Sequence, residues 1–161
     1  MTMRYFQNPN GKVYGYDAAD PNDTASIDAA LAAQWPEVTS SWPPAPSAAE
    51  QLATQVAKAF AAGITITSTS TPALNGTYAV DPAAQQRINA IETAILKNGA
   101  FPGSSGTQLA YYDAAGAPHV FPSTAIFSEF ATAVANFVAD LDLYAAGAPG
   151  ASLPSADVTI A

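Results

Sequence analysis

His119 is the only histidine in the chain, and its surroundings decide whether the sequence offers acid–base chemistry. An imidazole exchanges protons near neutral pH, so it could act as a general base. Asp113 precedes it in the sequence, and Ser123 or Ser128 could supply a hydroxyl. These groups define one interpretation, a small hydrolase that uses His119 with Asp113 and a serine.

The other interpretation makes His119 a polar residue on a hairpin strand, beside Val120 and Phe121. The Gly-x-Ser-x-Gly pattern that marks the nucleophile of many hydrolases does not occur in the sequence. A single imidazole without a matching nucleophile or ligand set is more often structural than catalytic. We therefore expect a protein that is not an enzyme.

The carboxylates do not form a convincing metal site. Aspartates lie close together near the N-terminus, but they lack the glycine and the final glutamate of a calcium loop. Asp140 and Asp142 are two residues apart, which places them on different faces of a helix. Cysteine is absent, so thiolate metal sites, thiol nucleophiles and disulfides are all excluded. No metal and no cofactor are expected.

The charge balance excludes several classes of partner. The net charge is −8, and the five basic residues are scattered along the chain. Phosphate backbones and anionic membranes would be repelled by such a surface. The sequence contains no apolar run near the roughly 20 residues that span a bilayer, and its N-terminus has no hydrophobic signal core. We expect a soluble protein that binds neither nucleic acid nor membrane.

The first 46 residues predict a small N-terminal unit and a linker. Arg4 to Tyr16 has two aromatic runs around an Asn-Gly turn, which predicts a β-hairpin. Asp23 or Thr24 could cap a short helix whose apolar residues recur at helical spacing, namely Ile27, Leu31 and Trp35. Residues 36–46 are rich in proline and predict an extended linker. The domain prediction is therefore 1–35, 36–46 and 47–161.

The remaining residues predict an α+β body in which short β-hairpins alternate with amphipathic helices. Ser47 opens a first helix, Asp81-Pro82 a second that ends at Asn98-Gly99, and Ser123 or Thr124 a third that extends to about Ala146. Alternating apolar residues predict one hairpin over 64–67 and 77–80, another over 109–113 and 119–121, and a short final strand at 158–160.

The third of these helices carries a heptad-like apolar seam, with large side chains repeating at spacings of three and four residues: Phe127, Phe130, Val134, Phe137, Leu141 and Tyr144. The seam could pack within the chain or against a partner. A chain of this size needs a core and the other helices offer complementary faces, so we expect the seam to be intramolecular.

The order of features between Tyr78 and Leu141 carries a family resemblance. A strand ending in Asp precedes a Gln-Arg-Ile helix, YAVDPAAQQRINAIETAI, and after a loop comes an aromatic strand with an Asp-x-x-Gly turn and a helix that opens after Pro-Ser, LAYYDAAGAPHVFPSTAIFSEFATAVANFVADL. This order resembles a small C-terminal domain of unknown function in tailed-bacteriophage tail proteins and tail-fibre assembly proteins. The opening RYFQNPNGKVYGYD is similar to an aromatic hairpin that begins many such phage proteins.

The resemblance implies a non-enzymatic phage tail protein that binds other tail or tail-fibre proteins. It would act as a virion structural subunit or as an assembly chaperone, and it would be found in the virion tail or in the bacterial host cytoplasm during assembly. Self-association is also possible, and a host-encoded adaptor module remains an alternative. Aromatic side chains anchor many interfaces, so the candidate interface residues are Trp35, Trp42, Tyr111, Tyr112 and Phe121.

Overall fold

The computed structural model describes residues 2–103 and 106–161. The chain divides into two compact units, Met1–Ser47 and Ala48–Ala161. Helices and short strands alternate through both units, so the predicted α+β class is confirmed. None of the helices in the described residues is long and apolar enough to cross a membrane.

The first unit begins with the predicted hairpin. Strands β1 (Met3–Gln7) and β2 (Val13–Asp17) are antiparallel, with Phe6 opposite Tyr14. The turn between them is closed by a hydrogen bond from the Gly11 amide to the Asn8 carbonyl, and Gly11 has a φ of 82°. Glycine adopts this left-handed conformation without the steric cost that a Cβ would add. Of the predicted Asn-Gly pair, Gly11 supplies the positive φ of this turn.

Helix α1 (Pro21–Ala32) starts earlier than predicted, because Asp20 is its N-cap and accepts a hydrogen bond from the Asn22 amide. The buried face of α1 is also narrower than the predicted apolar spacing indicates. Ile27 and Ala30 are buried with Phe6, whereas Leu31 is 48% exposed. Leu31, which the apolar spacing groups with Ile27, therefore lies outside this buried cluster.

The proline-rich segment is not a free linker along its first half. The Gln7 amide donates to the Pro36 carbonyl at 3.1 Å, and the Val38 amide donates to the Tyr5 carbonyl at 2.8 Å. The Arg4 guanidinium binds the Glu37 carboxylate with two hydrogen bonds, of 2.9 and 2.6 Å. Proline has no amide to donate, but its carbonyl remains free to pair with β1. Residues 36–38 therefore pair with β1, and the whole predicted linker 36–46 lies within the first unit.

The second unit contains three α-helices, one short 3-10 helix (Pro72–Leu74) and five strands among its described residues. The α-helices and strands are, in chain order, α2 (Ala48–Ala62), β3 (Ile64–Ser68), β4 (Gly76–Tyr78), α3 (Pro82–Asn98), β5 (Leu109–Tyr112), β6 (Pro118–Phe121), α4 (Thr124–Ala145) and β7 (Asp157–Ile160). One sheet has the order β4–β3–β7, and β5–β6 form a separate hairpin. Strands β3 and β4 are antiparallel as predicted, whereas the final strand pairs parallel to β3.

The predicted helix boundaries of α3 and α4 follow from their caps. The Asp81 side chain accepts from the Ala83 and Ala84 amides, and Gly99 ends α3 in the left-handed conformation. The Ser123 side chain accepts from the Ile126 amide at the start of α4. Cap residues satisfy backbone groups that the helix leaves unpaired, so these local signals are readable from sequence.

The seam of α4 is the centre of the second unit's core. Its first five residues are buried, and Tyr144 is half-buried with its hydroxyl hydrogen-bonded to the Gln55 side chain. Phe130 contacts Tyr78 at a ring-centroid distance of 4.8 Å, and Phe127 contacts Phe121 at 5.0 Å. The seam therefore packs within the chain, as the sequence analysis favours.

Phe137→Ala tests the contribution of the seam. We expect a loss of about 3 to 5 kcal/mol in the free energy of unfolding, because a fully buried aromatic ring is replaced by a cavity. Leu143→Ala, at a 53% exposed position on the same helix, is the control and should be nearly neutral. Both tryptophans lie in the first unit, so far-UV circular dichroism rather than tryptophan fluorescence should follow the transition. Equal losses in the two variants would contradict the assignment of the core.

Gly63→Ala tests the junction between α2 and β3. Gly63 has a φ of 76°, and a Cβ at this position would meet the Tyr78 carbonyl oxygen at 2.4 Å. We expect a cost well above the roughly 1 to 2 kcal/mol of the left-handed conformation alone. Gly99→Ala is the matched control, since Gly99 has a similar φ of 68° and open space where the Cβ would lie. Denaturant titration of the two variants should show the larger loss for Gly63→Ala, and a similar loss in both would refute the steric argument.

Candidate functional site

The β5–β6 hairpin presents two different faces. Tyr111 lies opposite His119, and Ala110 lies opposite Val120. Side chains alternate between the faces of a strand, so two sets of residues result. The inward set contacts the core and comprises Leu109, Tyr111, His119 and Phe121. The outward set is exposed and comprises Ala110, Tyr112, Pro118 and Val120.

His119 is held by two acceptors on the inward face. Its Nδ1 lies 2.7 Å from the Ala73 carbonyl oxygen, which can only accept, so Nδ1 carries the hydrogen. Its Nε2 lies 3.3 Å from Oδ2 of Asp113, and both side chains are largely shielded from solvent. The ring also contacts Tyr78 at 5.4 Å and lies against Gly76, where an added Cβ would come within 3.2 Å of Nε2. His119 therefore ties the hairpin to the segment that precedes β4.

This geometry supplies two of the three groups that the hydrolase interpretation needs. In a Ser–His–Asp arrangement the carboxylate binds one imidazole nitrogen and the serine hydroxyl binds the other. Here the second nitrogen binds the Ala73 carbonyl. The Ser123 hydroxyl accepts from the Ile126 amide at the start of α4. The described arrangement leaves neither imidazole nitrogen available to a serine.

Asp113 organises the hairpin turn. Its Oδ1 accepts a hydrogen bond of 2.7 Å from the Ala117 amide. That bond, together with the contact to His119, lowers the pKa of the Asp113 carboxyl below its ordinary value. Its backbone amide donates to the Ala117 carbonyl, and the Ala114 amide donates to Thr77 in the neighbouring strand. The carboxylate is thus a structural acceptor within a closed turn.

Burial raises the pKa values of two tyrosines on the inward side, Tyr78 and Tyr111. Desolvation raises the pKa of Tyr78 first of all, with a further contribution from the Asp113 charge. The neutral Tyr78 hydroxyl donates to the Leu74 carbonyl at 2.7 Å. Desolvation also raises the pKa of Tyr111, and the guanidinium of Arg87, 5.0 Å from the ring, opposes that shift. Both pKa shifts therefore follow mainly from the packing of the two rings.

The candidate aromatic residues of the first unit differ in exposure. Trp35 is half-buried and stacks on Tyr14 at a centroid distance of 5.6 Å. Trp42 is 39% exposed and lies 6.2 Å from Tyr5. Trp42 therefore offers more free ring surface than Trp35 does.

The structure corrects the list of candidate interface residues in the second unit. Tyr111 and Phe121 are buried in the core, which removes them as exposed anchors. Tyr112 is exposed, as an interface anchor would be, and Val120 lies beside it on the outward face. Val120 is not among the predicted interface residues, although strand alternation around the hairpin turn is the signal that places it on the same face as Tyr112.

Asp113→Asn tests the electrostatics of the turn. A carboxyl whose folded pKa is lowered stabilises the fold above its unfolded pKa of about 4, and that stabilisation is lost as the pH falls through the folded pKa. We therefore expect the wild type to lose thermal stability on acidification from pH 6 to pH 3, and Asp113→Asn to lose less. Asp140→Asn, at an exposed position of α4, should keep the wild-type acid dependence. Melting curves recorded by circular dichroism across this pH range measure the difference, and identical curves for wild type and Asp113→Asn would refute the role.

Within residues 2–103 and 106–161, the structure contains no group of three or more histidine, cysteine, aspartate or glutamate side chains that could hold a metal ion.

Comparison of the chain with protein-family models, with curated proteins and with solved structures finds no match.

Proposed function

We propose that this protein is a non-enzymatic component of a bacteriophage tail that binds other tail or tail-fibre proteins. It acts either as a structural subunit of the virion or as an assembly chaperone. Its place is the virion tail in the first case and the cytoplasm of the bacterial host during assembly in the second.

The main support for a binding role is that the outward face of the β5–β6 hairpin is apolar and exposed. Tyr112 and Val120 are 50% and 46% exposed, and Ala110 and Pro118 extend the same uncharged face. Water contact with clustered apolar side chains is unfavourable, so such patches on soluble proteins often mark protein interaction sites. Tyrosine is also enriched at interfaces, because its ring buries a large area with little loss of side-chain entropy.

The tail assignment is supported by the sequence resemblance. The order of strand, helix, hairpin and helix that the sequence predicts from Tyr78 to Leu141 resembles that of tail and tail-fibre assembly proteins, and the outward face lies on the hairpin within that region. The host-encoded adaptor alternative shares the binding role but not the tail partner. Genes for tail parts next to the gene for this protein would argue against the adaptor.

The hydrolase alternative has one observation in its favour, the 3.3 Å approach of His119 to Asp113. The hydrogen bond from Nδ1 to the Ala73 carbonyl opposes it, because that nitrogen is then unable to activate a serine. A binding role requires no catalytic proton transfer. His119→Gln with full retention of tail assembly and a stable fold would favour binding over hydrolysis.

The proposal is tested by deleting the gene from the phage genome that carries it and supplying variants in trans. We expect the double variant Tyr112→Thr/Val120→Thr to reduce the yield of infectious particles at least about tenfold, because it removes apolar contact area while keeping residues that favour strands. Leu96→Thr is the control, since it removes a large apolar side chain that is 83% exposed on α3 rather than on the hairpin. Circular dichroism must show that both variants fold.

Mass spectrometry of purified particles distinguishes the two forms of the proposal. A subunit should be present in stoichiometric amount, whereas a chaperone should be absent from particles that nevertheless require it for assembly. Normal yields after deletion of the gene, together with absence of the protein from particles, would refute a tail role. A wild-type yield from the double variant would refute the outward face as the binding surface.

A further inference from the structure

Strand β7 forms an open edge of the three-stranded sheet. It pairs only with β3 among the described strands, and the sheet ends there. The open edge of a strand presents amide and carbonyl groups in the positions that another strand would use. The backbone groups of β7 therefore decide whether this edge can accept a partner.

The parallel register shows which groups point outward. The Thr65 amide donates to the Ala156 carbonyl at 2.7 Å, and the Thr69 amide donates to the Ile160 carbonyl at 3.1 Å. Backbone groups alternate in direction along a strand, so those of Ala156 and Ile160 face β3. Those of Asp157 and Thr159, and the amide of Ala161, then face the open edge.

Local side chains satisfy the two ends of this edge and leave its middle open. The Ser155 hydroxyl accepts from the Asp157 amide at 3.2 Å. A carboxylate oxygen of Glu129, on α4, accepts from the Ala161 amide at 3.0 Å. The amide and carbonyl of Thr159 have no hydrogen-bond partner within the described residues. One residue in the middle of the edge is thus available for pairing.

A groove of about 480 Å³ runs between this edge and α4. Its walls are residues 158–161 on one side and a row of small or polar side chains on the other, among them Ser128, Thr132 and Asn136. Glu129 is the only charged side chain among the lining residues. The groove therefore has room for side chains of an added strand, and the carboxylate of Glu129 could orient that strand.

We propose that β7 accepts an extended strand from a partner protein, and that this strand carries a lysine or arginine that pairs with Glu129. The partner's backbone bonds with the amide and carbonyl of Thr159, and its alternate side chains enter the groove. Addition of a strand to a sheet edge is a common mode of peptide recognition, in which backbone bonds give affinity and side-chain pockets give specificity. This surface is separate from the outward face of the hairpin.

Charge favours a basic partner over a second copy of the chain. A copy that paired through its own β7 would bring a second Asp157 and a second Glu129 to the same edge, and each chain carries a net charge of −8. Like charges brought together at an interface oppose association. A basic strand instead pairs its cation with the carboxylate that the groove already provides.

Two dye-labelled peptides of matched sequence, TVKVTVT and TVEVTVT, with blocked ends, are the probes for the purified full chain. We expect the lysine peptide to bind at least about tenfold more tightly by fluorescence anisotropy, a difference of about 1.4 kcal/mol. Glu129→Gln should reduce this preference to less than about threefold, because it removes the charge and keeps the side-chain size. The measurement uses no phage component, so its outcome is independent of the proposed tail function.

Two substitutions at Thr159 separate backbone pairing from side-chain contact. Thr159→Pro removes the outward amide, and proline is tolerated on an edge where that amide faces solvent, so the fold should persist while lysine-peptide affinity falls at least about tenfold. Thr159→Val keeps the amide and should bind like the wild type. Unchanged affinity in Thr159→Pro, or no binding of the lysine peptide to the wild type at peptide concentrations up to about 1 mM, would overturn the proposal.

Amide hydrogen exchange of the wild type provides a second measurement that does not depend on how the proline variant folds. Addition of the lysine peptide should slow exchange at Thr159, whereas the Gly99 amide, already bonded to the Ile95 carbonyl, should be unaffected. No change at Thr159 on saturation would overturn the proposal. So would concentration-dependent dimerisation of the wild type that Thr159→Pro abolishes, because the occupant of the edge would then be a second copy.

Discussion

The contact of two phenylalanines on α4 with the β-structure around them is the interaction on which the second unit depends. Phe130 meets Tyr78 of β4, and Phe127 meets Phe121 of β6. Both phenylalanines are fully buried and also contact each other. Each aromatic ring buries about 150 to 250 Å² of surface, so this one helix supplies a large part of the free energy that joins the sheet to the hairpin.

The surfaces left for binding follow from that core. Tyr111 and Phe121 pack the hairpin against α4. Because side chains alternate along a strand, Tyr112 and Val120 are then exposed to solvent. The sheet packs on the same helix through its inward residues, which leaves β7 as an edge with a groove beside it. A short sheet that buries one face and has no further strand cannot avoid exposing backbone groups, and natural proteins either protect such an edge or use it.

The first unit is held together by different means. Its buried cluster is small, and backbone pairing with residues 36–38 extends the hairpin on the β1 side. The guanidinium of Arg4 binds Glu37 with two hydrogen bonds and, aided by the Thr39 hydroxyl, lowers the pKa of the Glu37 carboxyl to about 2. The pair is partly exposed, so solvent weakens its contribution to stability. Its clearer effect is geometric, because it fixes the direction in which the chain leaves α1.

The sequence by itself determined the features that depend on near neighbours. The caps at Asp81 and Ser123, the left-handed end of α3 and the repeating seam of α4 are local patterns, and each lies where its pattern places it. A cap satisfies backbone groups within one turn, and a seam follows from helical periodicity, so neither needs knowledge of distant residues.

Only the tertiary structure decided which faces are covered and which strands meet. Two adjacent tyrosines must face opposite sides of a strand, but the position of α4 makes Tyr111 the buried one and Tyr112 the exposed one. His119 binds a carbonyl 46 residues away, and β7 pairs with a strand about 90 residues earlier in the chain. Such contacts depend on how the elements pack around a shared core, and no pattern of neighbouring residues encodes the partner at that distance.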